Sequence, residues 1–318
     1  MNKSFYFLLI LLACNNSESK KKQSMVKNQF AQTSLVVLGT VQDAGSPQIG
    51  CKKDCCIHLY DEPDPNRMVV SLGLISPKEH KVFMLEATPD MPRQMALLAD
   101  YCSFPYNGIP NGILLTHAHI GHYTGLMYLG KEAINASKMP VYAMPRMRKF
   151  LEDNGPWSQL VQSENISLVD LKNQKQVPIA KDLSITPFTV PHRDEFSETV
   201  GFIINGPTKK ALFIPDIDKW KKWSTDIIKL IERVDYAFID ATFYNNEELP
   251  NRDMSEIPHP FVVESMSLFK NLNQIEKEKL YFIHLNHTNP LLNSKSKEYK
   301  NVIENGFQIA TTGDAFAL

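Results

Sequence analysis

Short apolar runs recur along most of the chain, each closed by glycine, proline, asparagine or aspartate. Runs of that length bounded by turn residues predict buried strands. They fall at 34–40, 69–75, 82–85, 113–115 and 140–143, then at 166–171, 183–190, 199–204, 210–214, 236–239 and 280–283. Helical periodicity is predicted over 91–101, from 145 to 151, over 220–233, over 261–270, and in a helix opening at Gly121-His122-Tyr123. Strands at 69–75 and 82–85, joined by Ser76-Pro77-Lys78-Glu79, read as an antiparallel pair. No internal repeat occurs at the usual solenoid periods.

The polar residues at the ends of these runs carry the chemistry. The run 113–115 leads into Thr116-His117-Ala118-His119-Ile120-Gly121-His122. In an extended segment alternate side chains share a face, so His117 and His119 point the same way. His122 falls near a helix start, where the positive dipole end favours neutral imidazole, the form that binds metal. Three converging imidazoles predict a metal site, against the plainer reading of a surface histidine cluster. Later runs deliver His192, Asp216, Asp240, and the pair His284 and His287. Six of the nine histidines sit at strand ends; His58, His80 and His259 lie elsewhere. Strand ends that share one rim are how layered α/β folds build sites. Asp43 and Asp240 are candidate proton carriers, with capping or turn roles as the rival reading. Arg193 suits an anionic substrate group or a surface ion pair.

Cys51, Cys55 and Cys56 cluster with His58 in residues 51–58, which reads as a structural zinc knuckle or as reduced, partly buried thiols. Cys55 and Cys56 are a poor disulfide pair because adjacent Cα atoms lie closer than relaxed geometry needs.

Composition changes the picture mainly at the N-terminus. The 318 residues suit one large domain or two small ones, and a net charge of −1 argues against nucleic acid as a partner. No internal apolar run is long enough to span a bilayer. Lys3, the apolar segment 5–13 and Cys14 read as an export signal, and Leu11-Leu12-Ala13-Cys14 resembles a bacterial lipobox. The expectation is a signal over 1–13, lipidation of Cys14, a polar tether over 14–33 carrying Lys20-Lys21-Lys22, and a folded domain over 34–318. Such a protein is exported and membrane-anchored, facing the periplasm or exterior.

With these residues in view, the chain resembles the metallo-β-lactamase fold superfamily. That family orders a His-x-His-x-Asp-His motif, a lone histidine, an aspartate and a final histidine. The matching positions are His117, His119, His122, His192, Asp216 and His284. The Gln42-Asp43-Ala44-Gly45 loop, the cysteine knuckle and the ending His284-Leu285-Asn286-His287-Thr288-Asn289-Pro290 resemble the branch that contains the pyrroloquinoline-quinone biosynthesis protein B and the cyclic-phosphate phosphodiesterase of phosphonate breakdown. The resemblance implies an α/β fold, an αββα sandwich of two mixed β-sheets flanked by helices. It implies one or two catalytic zinc ions, with Mn²⁺ or Fe²⁺ as alternatives, bound by those six residues. Asp216 bridges or anchors the metals. It also implies a structural zinc on Cys51, Cys55 and Cys56, completed by His287, with His58 as rival. Glu86 stands where many members carry an aspartate that holds the histidine loop.

The motif aspartate is Gly121 here. The second ion is then left with His122, His284 and a share of Asp216, so two unequal sites are expected, and restoring aspartate at 121, if the fold tolerates the side chain, is expected to strengthen the weaker one; two equal sites would mean that another residue, Asp43 or Asp240, has taken the missing place. The leading functional expectation is a metal-dependent hydrolase that uses activated water on a small-molecule phosphodiester, lactone or other ester. The alternatives are an iron-dependent oxidoreductase or oxygenase on the same ligands, and a non-catalytic metal- or ligand-binding lipoprotein.

Overall fold

The computed structural model describes residues 30–250 and 252–318; the signal-like segment and Cys14 lie outside the described residues. In one sheet run β1 (Ser34–Gly39), β2 (Ser71–Ser76), β3 (Lys81–Leu85), β4 (Gly112–Leu114), β5 (Met139–Ala143) and β6 (Ile166–Asp170). The other holds β7 (Val177–Ala180), β8 (Leu183–Thr189), β9 (Val200–Asn205), β10 (Lys210–Ile214), β11 (Tyr236–Asp240), β12 (Leu280–Ile283) and β13 (Gln308–Ile309). The last strand, β14 (Ala315–Ala317), returns to the edge of the first sheet beside β1, making each sheet seven-stranded among the described residues. Both sheets mix parallel and antiparallel pairs.

Strand β1 shows why the runs are continuously apolar. Leu35 and Val37 pack between the sheets with Leu72, Phe83, Phe202, Phe213 and Phe238. Val36 and Leu38 face the other way, onto a helical layer that includes Met91 and Leu98 of α1 (Met91–Ala99). A strand buried on both faces has no polar face to alternate. The second sheet is covered likewise: Leu212, Ile214, Ile239 and Phe282 pack on Ile227, Ile231, Val262 and Val302. The result is the expected sandwich of two mixed sheets flanked by helices.

Residues 30–33 already belong to the domain. Phe30 bridges Cys102, and the Thr33 carbonyl accepts from Leu318 N at 2.9 Å. Across the sheets, the Asp182 carboxylate accepts from Ser76 Oγ at 2.6 Å and from Thr33 Oγ1.

The expected helix over 220–233 is not continuous. Trp220–Lys222 form one 3-10 turn, and a helix resumes only at Ile227–Ile231. Asp226 accepts from Ile228 N at 3.0 Å and so starts the second piece as its cap. Ser224-Thr225-Asp226 compete locally for the backbone, which the apolar periodicity did not register.

Candidate metal centre

Parallel pairing sets the site. β3 runs parallel to β4, and β10, β11 and β12 are parallel neighbours, so within each set the C-terminal ends lie at one edge. Glu86 follows β3, the histidine segment follows β4, Asp216 follows β10, Asp240 ends β11 and His284 follows β12. Glu86 and His284 both have left-handed backbones, with φ of 76° and 66°. Non-glycine residues are held there only where the surroundings impose it.

Asp216 is the centre. Its Oδ2 lies 3.1 Å from His122 Nε2, 3.4 Å from His117 Nε2 and 3.5 Å from His284 Nε2. Its Oδ1 lies 3.3 Å from His192 Nε2. The opposite ring nitrogens are anchored outward. Thr116 Oγ1 holds His117 Nδ1 at 2.8 Å, and Asp218 Oδ1 holds His192 Nδ1 at 3.3 Å. Thr242 Oγ1 donates to Asp240 Oδ1 at 2.6 Å, so at 2.9 Å it accepts the Nδ1 proton of His284 and leaves the Nε2 lone pair facing inward. The Nε2 atoms of His117, His119, His122, His192 and His284, and Oδ1 of Asp216, are buried and make no hydrogen bond among the described residues. Inward-facing polar atoms without partners are costly in a protein interior, and a divalent cation supplies the missing partner. The donor set therefore fits a metal ion. One ligand atom each from His117, His119, His192 and Asp216 lies within 4.8 Å of the others.

The electrostatics agree. Burial holds His117 well below the ordinary histidine range, with the charge of His122 acting in the same direction. Burial brings His119 down to about 4. Asp216 stays ionised well below the usual carboxylate range: burial opposes this, and the surrounding histidines, His284 first, outweigh it. His122 departs from expectation. The helix it opens is only Ile120–Tyr123, too short for a useful dipole, and the ring is enclosed by carboxylates. Burial opposes protonation, but Asp216 and Glu86 raise His122 well above its ordinary value. Glu86 is itself fully buried, 3.7 Å from His122 Nδ1, which is ion-pair range but longer than a hydrogen bond.

Two sequence-based assignments need correction. Asp240 is placed at the site but is not a free proton carrier. Its oxygens accept from Thr242 N at 2.9 Å, Thr242 Oγ1 at 2.6 Å, Ile217 N at 3.0 Å and His259 Nδ1 at 2.7 Å. A carboxylate with four such donors orients its neighbours. His259, set apart by the sequence pattern because no strand leads to it, lies in the site with Nδ1 3.2 Å from Asp216 Oδ1. Burial opposes its protonation, and Asp240 overcomes it, raising His259 to about 9. Its only local signal was Pro258-His259-Pro260, a histidine fixed between two prolines.

Asp43 is brought to the centre from the loop after β1, and one of its oxygens lies within 4.8 Å of ligand atoms of His122 and His284. Gly121 offers no room for a side chain, since a Cβ there would stand 2.5 Å from the Asp43 carbonyl oxygen. The expectation that aspartate at 121 would strengthen a second site is thereby withdrawn. Beside the centre opens a cavity of about 330 Å³ whose lining includes Gln42, Arg193, Phe243, Arg252, His259 and Asn286.

At the knuckle, ligand atoms of Cys51, Cys55, Cys56 and His287 lie within 4.8 Å of one another, and His58 is exposed outside the group. Burial, then the neighbouring Cys56, pushes the Cys55 thiol up to about 12. Three crowded thiols ionise together only around a cation, which suits a soft tetrahedral site.

These features define a metallo-β-lactamase fold. The chain belongs to the β-lactamase superfamily: the Beta-lactamase superfamily domain model matches residues 83–285. Within it the chain is similar to coenzyme PQQ synthesis protein B. It is 24% identical over 313 residues to that protein from Xanthomonas axonopodis pv. citri, covering 89% of this chain and 99% of the relative. The protein of the same name from Gluconobacter oxydans is 24% identical over 306 residues, covering 89% and 98%. Among solved structures, Zn(2+)-bound PqqB from Methylobacterium extorquens superposes with a TM-score of 0.74 at 21% identity, covering 90% of this chain and all of that one. A diphosphatase from the PhnP family gives 0.61 at 20% identity, covering 90% and 96%.

Proposed function

We propose that the protein is a metal-dependent hydrolase of a small anionic ester, with phosphodiesters and lactones as the first classes to test. The observation that carries this reading is the ring of buried, partnerless imidazole nitrogens around Asp216, placed beside a cavity that carries two arginines. His117, His119, His192 and Asp216 would hold a divalent cation, which would supply acidified water and polarise the scissile group. Thr116, Asp218 and Thr242 fix the rings. His259, kept protonated by Asp240, stands at the cavity wall to deliver a proton to the leaving oxygen. Arg193 and Arg252 line the same cavity, where a guanidinium suits an anionic substrate group. The likeness to a diphosphatase of the PhnP family supports anionic phosphate chemistry.

The test is metal analysis of purified protein together with a panel of phosphodiester, thioester and lactone substrates. Zinc with turnover of one class supports the reading; a metal-loaded protein that hydrolyses none of them overturns it. A second reading, an iron-dependent oxidoreductase, is favoured by the purely imidazole and carboxylate donor set and by relatives named for PQQ synthesis. Iron in the purified protein with oxygen consumption would select it. We further propose, from the sequence alone, that Cys14 carries a lipid anchor, and, from their clustering, that Cys51, Cys55, Cys56 and His287 hold a structural zinc.

A further inference from the structure

The geometry points to Asp43 as the carboxylate ligand of a second metal ion, with His122 and His284, replacing the motif aspartate whose position is Gly121. This rests on the metal-binding part of the reading above.

The first ground is placement. The chain leaving β1 is fastened to the chain leaving β12. Val41 forms a parallel bridge with Leu285, Leu285 N donates to the Thr40 carbonyl at 2.8 Å, and Gln42 N donates to the Leu285 carbonyl at 2.8 Å. Asp43 is therefore delivered beside His284 by backbone hydrogen bonds. One of its oxygens stands within 4.8 Å of ring nitrogens of His122 and His284. The inward nitrogens of both rings are buried without a hydrogen-bond partner.

The second ground is reciprocity. A Cβ at position 121 would fall 2.3 Å from Asp43 Cβ, 2.5 Å from its carbonyl oxygen and 2.7 Å from its Cα. Real Cβ atoms do not approach that closely, so a side chain at 121 and the observed place of Asp43 exclude each other. Glycine at 121 is the condition for Asp43 to reach the histidines.

The third ground is that the rival carboxylate is engaged. Asp240, with His259, His284 and Asp216, forms another group of close ligand atoms. Both Asp240 oxygens already accept hydrogen bonds from Thr242, Ile217 and His259. Asp43 is half-buried at the rim, which leaves room for water or substrate beside a bound ion. The centre then offers His117, His119, His192 and Asp216 to one ion and His122, His284 and Asp43 to the other.

The test uses the full chain, stripped of metal and titrated with Co²⁺ or Zn²⁺, with stoichiometry from elemental analysis. The cobalt–thiolate charge-transfer band separates the cysteine knuckle from the histidine centre. The wild type is expected to take two ions at the histidine centre. Asp43→Asn preserves size and is expected to weaken one of them about 10–100-fold or more, leaving the other and the knuckle unchanged. Asp43→Glu is expected to recover part of the loss. Two ions bound as tightly in Asp43→Asn as in the wild type overturn the inference. One ion in the wild type, unaffected by Asp43→Asn, also overturns it while leaving a mononuclear hydrolase intact. No ion at the histidine centre overturns the proposed function itself.

Discussion

Glu248 gives a prediction whose size follows from the structure. It lies in the loop after β11, its Oε2 accepting from Tyr244 N at 2.7 Å and its Oε1 from Thr288 Oγ1, the residue after His287. Burial raises its carboxyl from 4.5 to about 7, with the Thr288 and Tyr244 hydrogen bonds opposing the rise. The folded protein thus holds the proton more tightly than the unfolded chain. That contribution to stability is complete below pH 4.5 and is lost as pH rises towards and through 7. Each pH unit between the two values weakens folding by about 1.4 kcal/mol, so the loss from pH 5 to pH 8 is about 2–3 kcal/mol. Glu248→Gln keeps an acceptor and cannot ionise. Urea unfolding of wild type and variant at both pH values, in the same metal, isolates this group because other titrations cancel. The variant should gain on the wild type by that amount at the higher pH. A stability difference that does not change with pH would refute the reasoning.

Other outcomes follow from the same geometry. Cys55→Ser should release one zinc and lower the melting temperature by roughly 5 °C or more, with metal at the histidine centre unchanged; an unaltered metal count would exclude the knuckle as a zinc site. Thr242→Val removes the hydroxyl that links Asp240 to His284, and chelator competition should show metal affinity reduced about 10–100-fold. Gly121→Asp should destabilise the fold by about 1–3 kcal/mol, since its Cβ meets the Asp43 backbone. A stable variant that binds a second metal more tightly would show that the loop yields. Cys14→Ala should leave the protein unprocessed or soluble in cell fractionation, and membrane partitioning like that of wild type would exclude the anchor.

How much was legible in the sequence depends on how local the cause is. The strands were legible because burial on both faces imposes unbroken apolar runs, as in β1, β10 and β12. The two-residue β13 and three-residue β14 left no trace, because so short a segment has no periodicity and exists only by pairing with a neighbour. The helix over 220–233 was misread because apolar spacing does not reveal that Asp226 caps a new start.

The same division holds at the site. The sequence by itself determined the ordered series His117, His119, His122, His192, Asp216 and His284, together with the cysteine knuckle, because their residue types and order along the chain are unusual. It also marked Gly121 as a gap. It named Asp43 and Asp240 as candidates to take the missing place, but only the tertiary structure shows that Asp43, far from Gly121 in sequence, packs against it on a segment held by backbone hydrogen bonds to Leu285. The tertiary structure likewise brought His259 to Asp240 and showed that both Asp240 oxygens accept hydrogen bonds from their neighbours. A ligand's chemistry is carried by its own side chain and can be read from one letter. Its role is set by which other groups hydrogen-bond to it, and those come from strands that meet only when the two sheets pack.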